Sequence, residues 1–471
     1  MKKITVTIFL IISSIIAIPQ NTIIKPKVDE RTELLSIVFR LVGATGYVNN
    51  DIADYAKDID DYFAPFKGHE VVKFARELRK TREVSFGAIM SMAINIEIKD
   101  EIRFKDNLSE SSLDEGWGKE NSIAFLKLLN KFYTESKFHE FFMAHSVLYR
   151  TAENNFNKTV KPIDMDWFQN FYGLKSNVSF NMVISLTNGG NYYGPKVQYK
   201  DGKQDFFSII GSWETDSLKQ PIYAKDLGET IIHEFNHSFC NPLIDSFYNE
   251  MARQSGKFFK QSLIKFNQQY YGNPKIILYE ILVRACVIKY IQQNETDVEK
   301  IKHLISEEEN NGFLWIENLV NLLSDYEKNR EKFLTLKEFM PEIVKLQNGL
   351  SPKHLQQIYD SKCPRIVSTN IKTGDKNVDP NLKQLILKFD RPMNIYCWGL
   401  SSGKLGGDYS PNYPEDILVQ WDETTKTEFT QPISLKPNKR YSISIPAQFF
   451  RDKNYYHLIK KYYLDFKTRK K

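Results

Sequence analysis

Cysteine is scarce in this 471-residue chain, with only Cys240, Cys286, Cys363 and Cys397. Four are too few to staple a small disulfide scaffold, and their spacing matches no zinc ribbon. Histidine is scarce too, at eight, so any pattern among the imidazoles carries weight. An excess of one charge is also missing. The 64 basic residues stand against 58 acidic ones, the lysines are dispersed, and no basic block follows a recognition motif, which excludes nucleic acid as the expected partner. Beyond the first twenty residues no apolar run is long enough to span a bilayer. Core-forming residues are not lacking. A hydrophobic fraction of 42% with 13% aromatics is that of a folded globular protein, and the length predicts two or three domains.

The start of the chain differs from the rest. Lys2 and Lys3 precede an apolar run from Ile4 to Ile18, broken only by Thr and Ser. That layout predicts a secretory signal over residues 1–20, cleaved between Ala17 and Gln20, and the run is short for a membrane span. No cysteine follows it to suggest a lipid anchor. The expected location is therefore outside the cell, in a periplasm or at the cell surface, with no stable span once the signal is gone. Export permits disulfides, and a Cys240–Cys286 pairing would join two helices. Free buried thiols remain the preferred reading.

The stretch IIHEFNHSFCNP, Ile231 to Pro242, organises the functional reading. On a helix, residues four apart share a face, so His233 and His237 can point ring nitrogens at one metal ion with Glu234 beside it. Neutral imidazoles bind zinc without cancelling its charge, and the carboxylate is there to take a proton from a water. Leu227, Ile231, Phe235 and Phe239 recur near helical spacing. Asp226 is a candidate cap, and Asn241 followed by Pro242 predicts the stop. A third histidine in the pattern HExxHxxGxxH is absent, because Cys240 and Leu243 hold those places. The third ligand is expected downstream. Glu280 and Arg284, four apart in the apolar helix Lys275 to Ile291, supply the favoured candidate, ahead of Glu250 and Asp245.

Taken in order, Arg31 to Glu153 is helical, with stripes at Leu34, Leu35, Ile37, Val38 and Leu41 and at Val71, Val72, Phe74, Ala75 and Leu78. Helices are also predicted over Ser122–Tyr133 and Phe138–Tyr149. The segments PFKGHE around His69 and Val84 to Ile94 are candidates for lining a cleft, and His69 itself is expected in a turn rather than at a metal. Phe180, Met182, Ile184 and Leu186 alternate with smaller residues as a half-buried strand does. NGGNYYGP, Asn188 to Pro195, is turn-rich, and Asp201-Gly202 predicts a hairpin whose second arm includes Phe206 to Ile210. Tyr192 and Tyr193 are placed to line a sheet edge that offers backbone groups to an extended peptide. After Pro242, helices are expected over Leu243–Met251, Phe258–Tyr271, Phe313–Tyr326, Arg330–Leu346 and Pro352–Tyr359. From Pro364 the chain turns to strands at Ile366–Ile371, Gln384–Phe389, Ile417–Trp421, Tyr441–Ile445 and Tyr462–Phe466, the pattern of a β-sandwich.

HEFNHSFCNPLID, the downstream YEILVRACVIKYI and the upstream NGGNYYG together resemble a family of secreted bacterial proteins known as a domain of unknown function with a zinc-peptidase signature. The likeness covers roughly Glu30 to Asp360. It implies a gluzincin-like site, in which HExxH supplies two ligands and a later helix supplies a Glu, here Glu280. Gluzincins often carry Asn directly before that Glu, and this chain has Tyr279. The final segment, with PRIVSTNI and LILKFDRPMN, is similar to bacterial Ig-like domains, which implies a spacer or a module that contacts a surface partner.

The expected fold class is α+β: a mostly helical zincin-like metallopeptidase domain over residues 28–360, with a small sheet before the active-site helix, and a C-terminal Ig-like β-sandwich over 364–471. Within the first, 31–165 is the helical part and 166–360 holds the sheet and the site. The expected function is a secreted zinc metallopeptidase. One Zn2+ is held by His233, His237 and Glu280, Glu234 is the base, and Tyr193, Tyr192 or Arg284 contact the substrate or transition state, with His303 a further candidate donor. Two rivals share the metal residues: a zinc amidase acting on a cell-wall or modified peptide, and a non-catalytic zinc-containing binding or adhesion protein. A helix without metal is the third.

Overall fold

The computed structural model describes residues 25–173, 177–295 and 297–470. The export signal expected over residues 1–20 lies outside them. Helices and strands are mixed, with helices predominating, and the chain divides into two compact units, Met1–Ile231 and Ile232–Lys471. No helix among the described residues is long and apolar enough to cross a membrane.

The first unit packs helices around a small sheet. Its opening helix, Glu30–Val42, is capped by Asp29, which accepts from Arg31 N, and is closed by Gly43 at φ 82°. Lys27–Val28, Val178–Ser185 and Gln204–Gly211 run parallel, and the short strands Tyr192–Tyr193 and Lys196–Gln198 both pair antiparallel with Gln204–Gly211. The expected hairpin is present, with Gly202 at φ 85° in its turn. The strand before it is half buried, as expected, over Val178–Asn181 only. Met182 to Ser185 are covered on both faces, because a parallel strand in the middle of a sheet is packed from either side. The NGG turn lies directly on strand Gln204–Gly211. A Cβ on Gly211 would sit 2.0 Å from Gly189 O, so only glycine fits there.

One further expectation in this unit changes. The helix Gly87–Asn95 in the segment Val84–Ile94 is buried from Ile89 onward, while Phe86 before it is exposed. The predicted Phe138–Tyr149 is two helices, Phe138–Ala144 and Ser146–Thr159. His69 caps the helix Glu70–Arg82, its Nδ1 accepting from Val71 N at 3.1 Å. Glu33 is wholly buried. It accepts from Leu186 N at 2.9 Å, Ser185 Oγ at 3.0 Å and Tyr55 Oη at 3.0 Å, which fixes the end of the central strand to the opening helix.

The second unit has a helical part and a β-module. The helix that carries the motif does not stop at Asn241-Pro242 but runs from Leu227 to Gln261. An internal proline costs about 3 kcal/mol, and packing on the apolar stripe, where Ile231, Phe235, Phe239 and Ile244 are buried, offsets it. The break comes at Ser262, inside the expected Phe258–Tyr271 helix. There Ser262 Oγ bonds Gly312 O at 3.0 Å and a short helix, Leu263–Gln268, restarts. Helices Pro274–Asn294, Ile316–Lys328, Leu336–Gly349 and Pro352–Lys362 follow the expected order. Helix Val298–Asn310, with Val298, Ile301, Leu304 and Ile305 at helical spacing, is not among the helices expected above.

The β-module has a four-stranded antiparallel sheet, ordered Ile366–Thr369, Gln384–Phe389, Glu428–Pro432, Gln420–Trp421, and a three-stranded one, ordered Ser401–Ser402, Arg440–Ile445, Tyr462–Lys467. Leu385, Leu387, Phe389 and Phe429 from the first share one buried cluster with Tyr441, Ile443, Ile445, Leu464 and Phe466 from the second. The alternation read from the sequence is what puts these residues inward. Glu428–Pro432 is a strand that the pattern does not mark, and the expected Ile417–Trp421 shortens to Gln420–Trp421.

Candidate metal centre

His233 and His237 lie one turn apart on the motif helix, and their Nε2 atoms stand 3.0 Å apart with ring planes at 77°. The helix Pro274–Asn294 brings Glu280 to them, with Oε2 3.6 Å from His233 Nε2 and Oε1 3.6 Å from His237 Nε2. Among the described residues this is the one His/Cys/Asp/Glu group whose donor atoms all lie within 4.8 Å of one another. Ligand atoms on a tetrahedral zinc ion, each about 2.0–2.2 Å from it, stand roughly 3.3–3.6 Å apart, which the two Glu280–histidine distances of 3.6 Å meet and the 3.0 Å between the imidazoles falls short of.

The protonation chemistry agrees with that spacing. His237 Nδ1 is 3.1 Å from Asn241 Oδ1, an acceptor, which places the ring proton on Nδ1 and turns the Nε2 lone pair toward Glu280. Burial, helped by His237 and Arg284, holds the His233 imidazole well below its ordinary value, so this ring is neutral as a ligand must be. Two imidazole lone pairs and a carboxylate at such distances repel one another unless a proton or a metal cation stands between them, and an N2O donor set suits zinc. The residues present therefore fit the group that the motif implies. Burial also pushes the Glu234 carboxyl up to about 7, with Glu280 adding to the shift and His237 opposing it. A carboxyl in that range exchanges protons at neutral pH.

Around Glu280 lies an outer layer of support. Arg284 Nε donates to Glu280 Oε2 at 3.3 Å, Arg284 Nη1 reaches both Glu308 oxygens at 2.8 Å, and Arg284 Nη2 donates to Tyr271 Oη at 2.9 Å. The guanidinium also covers the Phe313 ring at 4.8 Å. Tyr279 donates to Asp245, which Lys275 Nζ also meets at 2.6 Å. This ties the helix bearing Glu280 to the motif helix one residue before the ligand.

Of the residues singled out in the sequence, His233, Glu234, His237, Glu280 and Arg284 all lie in the second unit, and the two histidines and Glu280 converge. Arg284 is engaged by two carboxylates rather than free. Glu250 is exposed and outside the cluster. Tyr192 and Tyr193 belong to the first unit, paired with Ile210 and Ile209, and Tyr192 Oη accepts from Trp213 Nε1 at 3.1 Å. His303 is 3.4 Å from Glu307 and packs against Tyr455, ring centroids 4.0 Å apart and planes tilted at 43°. Sequence reasoning missed Asn241, Tyr271 and Glu308. The signal for Asn241 was its place four residues after His237, masked by the proline behind it. Glu308, inside a run of acids, gave none.

A family model described as a domain of unknown function (DUF4932) matches residues 22–346, a span that includes every residue of the centre. No curated protein sequence matches the chain. Among solved structures, the N-terminal part of the bacterial S-layer protein SbsC is similar at 11% identity over 52% of this chain and 58% of that one, with a TM-score of 0.18. SbsC domains 1–6 follow at 10% identity, 52% and 34% coverage and a TM-score of 0.17. The chain thus spans between a third and three fifths of those structures, and scores this low give the likeness no weight.

Proposed function

From the premise that this chain belongs to the DUF4932 family, a domain of unknown function matched over residues 22–346, we propose that it is an exported zinc-dependent metallopeptidase. Residues 28–360 form its zincin-like domain and 364–471 an Ig-like β-sandwich. The observation that carries the reading is the convergence of His233, His237 and Glu280 within 4.8 Å, with Glu234 between the two histidines in sequence. His233, His237 and Glu280 hold the ion. A zinc ion bound there supplies Lewis acidity, polarising a carbonyl and lowering the pKa of a water to about 7. Glu234, adjacent to His233 in the chain, takes the proton of the attacking water and gives it to the departing amine. Asn241 holds His237 in the tautomer that presents Nε2, and Arg284 orients the Glu280 carboxylate. The substrate class is peptide or protein.

The test is metal content followed by Glu234→Gln. The purified chain is expected to hold one zinc, and the variant to keep that zinc while losing about 10²–10⁴-fold in hydrolysis of an unstructured protein such as casein. A chain that takes up no zinc, or a variant with undiminished hydrolysis, overturns the reading.

A further inference from the structure

The acidic run at the end of helix Val298–Asn310, Glu307-Glu308-Glu309-Asn310, has the composition of a solvated surface, yet each of the four side chains is engaged. Glu308 faces the metal centre and receives Arg284 Nη1 on both oxygens at 2.8 Å. Its neighbours are gripped by the β-module. Arg451 bonds Glu307, Tyr456 Oη donates to Glu309 Oε2 at 2.8 Å, and Asn310 Nδ2 donates to Tyr455 O at 2.9 Å. His457 N adds a bond to Asn310 Oδ1 at 3.3 Å. The grip comes from one loop, residues 451–457, which is shaped from within: Asp452 Oδ1 accepts from Asn454 N at 2.9 Å and from Tyr456 N at 3.0 Å. The helix that leads into the module adds Lys362, whose Nζ is 3.0 Å from both Glu309 oxygens.

We infer that loop 451–457 is part of the support of the metal centre: it fixes the end of helix Val298–Asn310, so that Glu308 holds Arg284 and Arg284 holds the ligand Glu280. The inference rests on the zinc reading above and extends it, because it makes Arg451, Tyr456 and Glu308 positioning residues and the β-module more than an appendage. The physical basis is the geometry of the chain of contacts. Arg284 has a planar fork that keeps its charge, and the end bound to Glu308 determines where its Nε sits against Glu280 Oε2, 3.3 Å away. That same oxygen lies 3.6 Å from His233 Nε2. Outer partners that orient a ligand typically govern metal affinity by 10- to 100-fold. One contact further out the effect is smaller but of the same sign. Glu309 and Asn310 are buried, so the joint is not a loose surface contact.

The experiment measures zinc dissociation constants of the full chain by competition with a chromophoric chelator. The proteins are wild type, Arg451→Ala/Tyr456→Phe, Glu308→Gln, and the combination of all three substitutions. Glu308→Gln is expected to weaken zinc binding about 10-fold or more, and the loop pair about 3- to 10-fold. In the combination the loop pair is expected to add nothing, since its route to Glu280 is already cut. A purely structural role for the joint predicts instead that the two effects multiply. Equal zinc affinity in the wild type and the loop pair, or multiplying effects, overturns the inference and leaves the zinc site standing. A wild-type chain that takes up no zinc overturns the metal reading itself. Should the loop pair not fold, Tyr456→Phe alone, which removes a single hydroxyl, decides by the same comparison.

Discussion

Asn241→Ala isolates the outer layer of the metal centre without touching a ligand. In the wild type the amide oxygen of Asn241 holds His237 Nδ1 at 3.1 Å, and the variant frees the ring to turn or to take the other tautomer. With free zinc at 100 times the dissociation constant, binding stabilises the fold by about 2.7 kcal/mol. For a unit of this size that corresponds to roughly 5–10 °C in melting temperature. Loss of an outer partner typically weakens a metal site 10- to 100-fold. At the same zinc concentration the variant then retains only about 0.4–1.4 kcal/mol, or roughly 1–5 °C. The assay is thermal unfolding with zinc and with chelator, for each protein at one pH. Taking the difference within each protein removes the cost of the lost hydrogen bond to the metal-free fold, about 1 kcal/mol. A variant whose zinc-dependent shift equals that of the wild type would show that Asn241 does not set the ligand tautomer.

Three further outcomes are expected. Replacing Glu280 by Ala removes the one carboxylate ligand and should abolish the zinc-dependent shift at concentrations that saturate the wild type, whereas Glu250→Ala leaves it intact; the reverse pattern reassigns the third ligand. Burial pushes the Glu33 carboxyl up to about 7, against the bonds from Leu186, Ser185, Tyr55 and Thr187. A folded value above the unfolded one means stability that is present below about pH 4.5 and lost as pH rises through 7, on the order of 3 kcal/mol. Urea midpoints in chelator at pH 5 and pH 8 should therefore converge in Glu33→Gln relative to wild type, and an unchanged pH dependence refutes the assignment. Cys240 Sγ and Cys286 Sγ are 3.9 Å apart and unbridged, well beyond the ~2.05 Å of a disulfide. A thiol reagent should thus count four thiols in the denatured chain; a count of two, with the Cys240–Cys286 pair identified by peptide mapping, would refute this.

Much of this architecture is local, and local features can be read from residue order. Helical spacing put His233 and His237 on one face, because an α-helix repeats every 3.6 residues whatever surrounds it. The alternation of Leu385, Leu387 and Phe389 marked the buried face of a strand for the same reason. Glu280 stood out because a carboxylate in an apolar helix needs a partner, although only the packing of that helix against the motif helix brings its oxygens to 3.6 Å from both rings. The helix end expected at Asn241-Pro242 shows where local rules give way. A penalty of a few kcal/mol for an internal proline is outweighed by tertiary burial along the rest of the helix.

Residue order alone thus determined the two imidazoles, the neighbouring acid, the candidate third ligand and the sequence of helices followed by strands. Those follow from backbone periodicity and from what an apolar segment can bury. The tertiary structure alone decided that Glu308 rather than solvent receives Arg284, and that loop 451–457 grips the end of the helix that carries Glu308. These contacts join residues up to 147 positions apart, and no local pattern encodes which distant side chain a buried charge will meet. Only the packed chain, in which every buried charge must find a partner, fixes that choice.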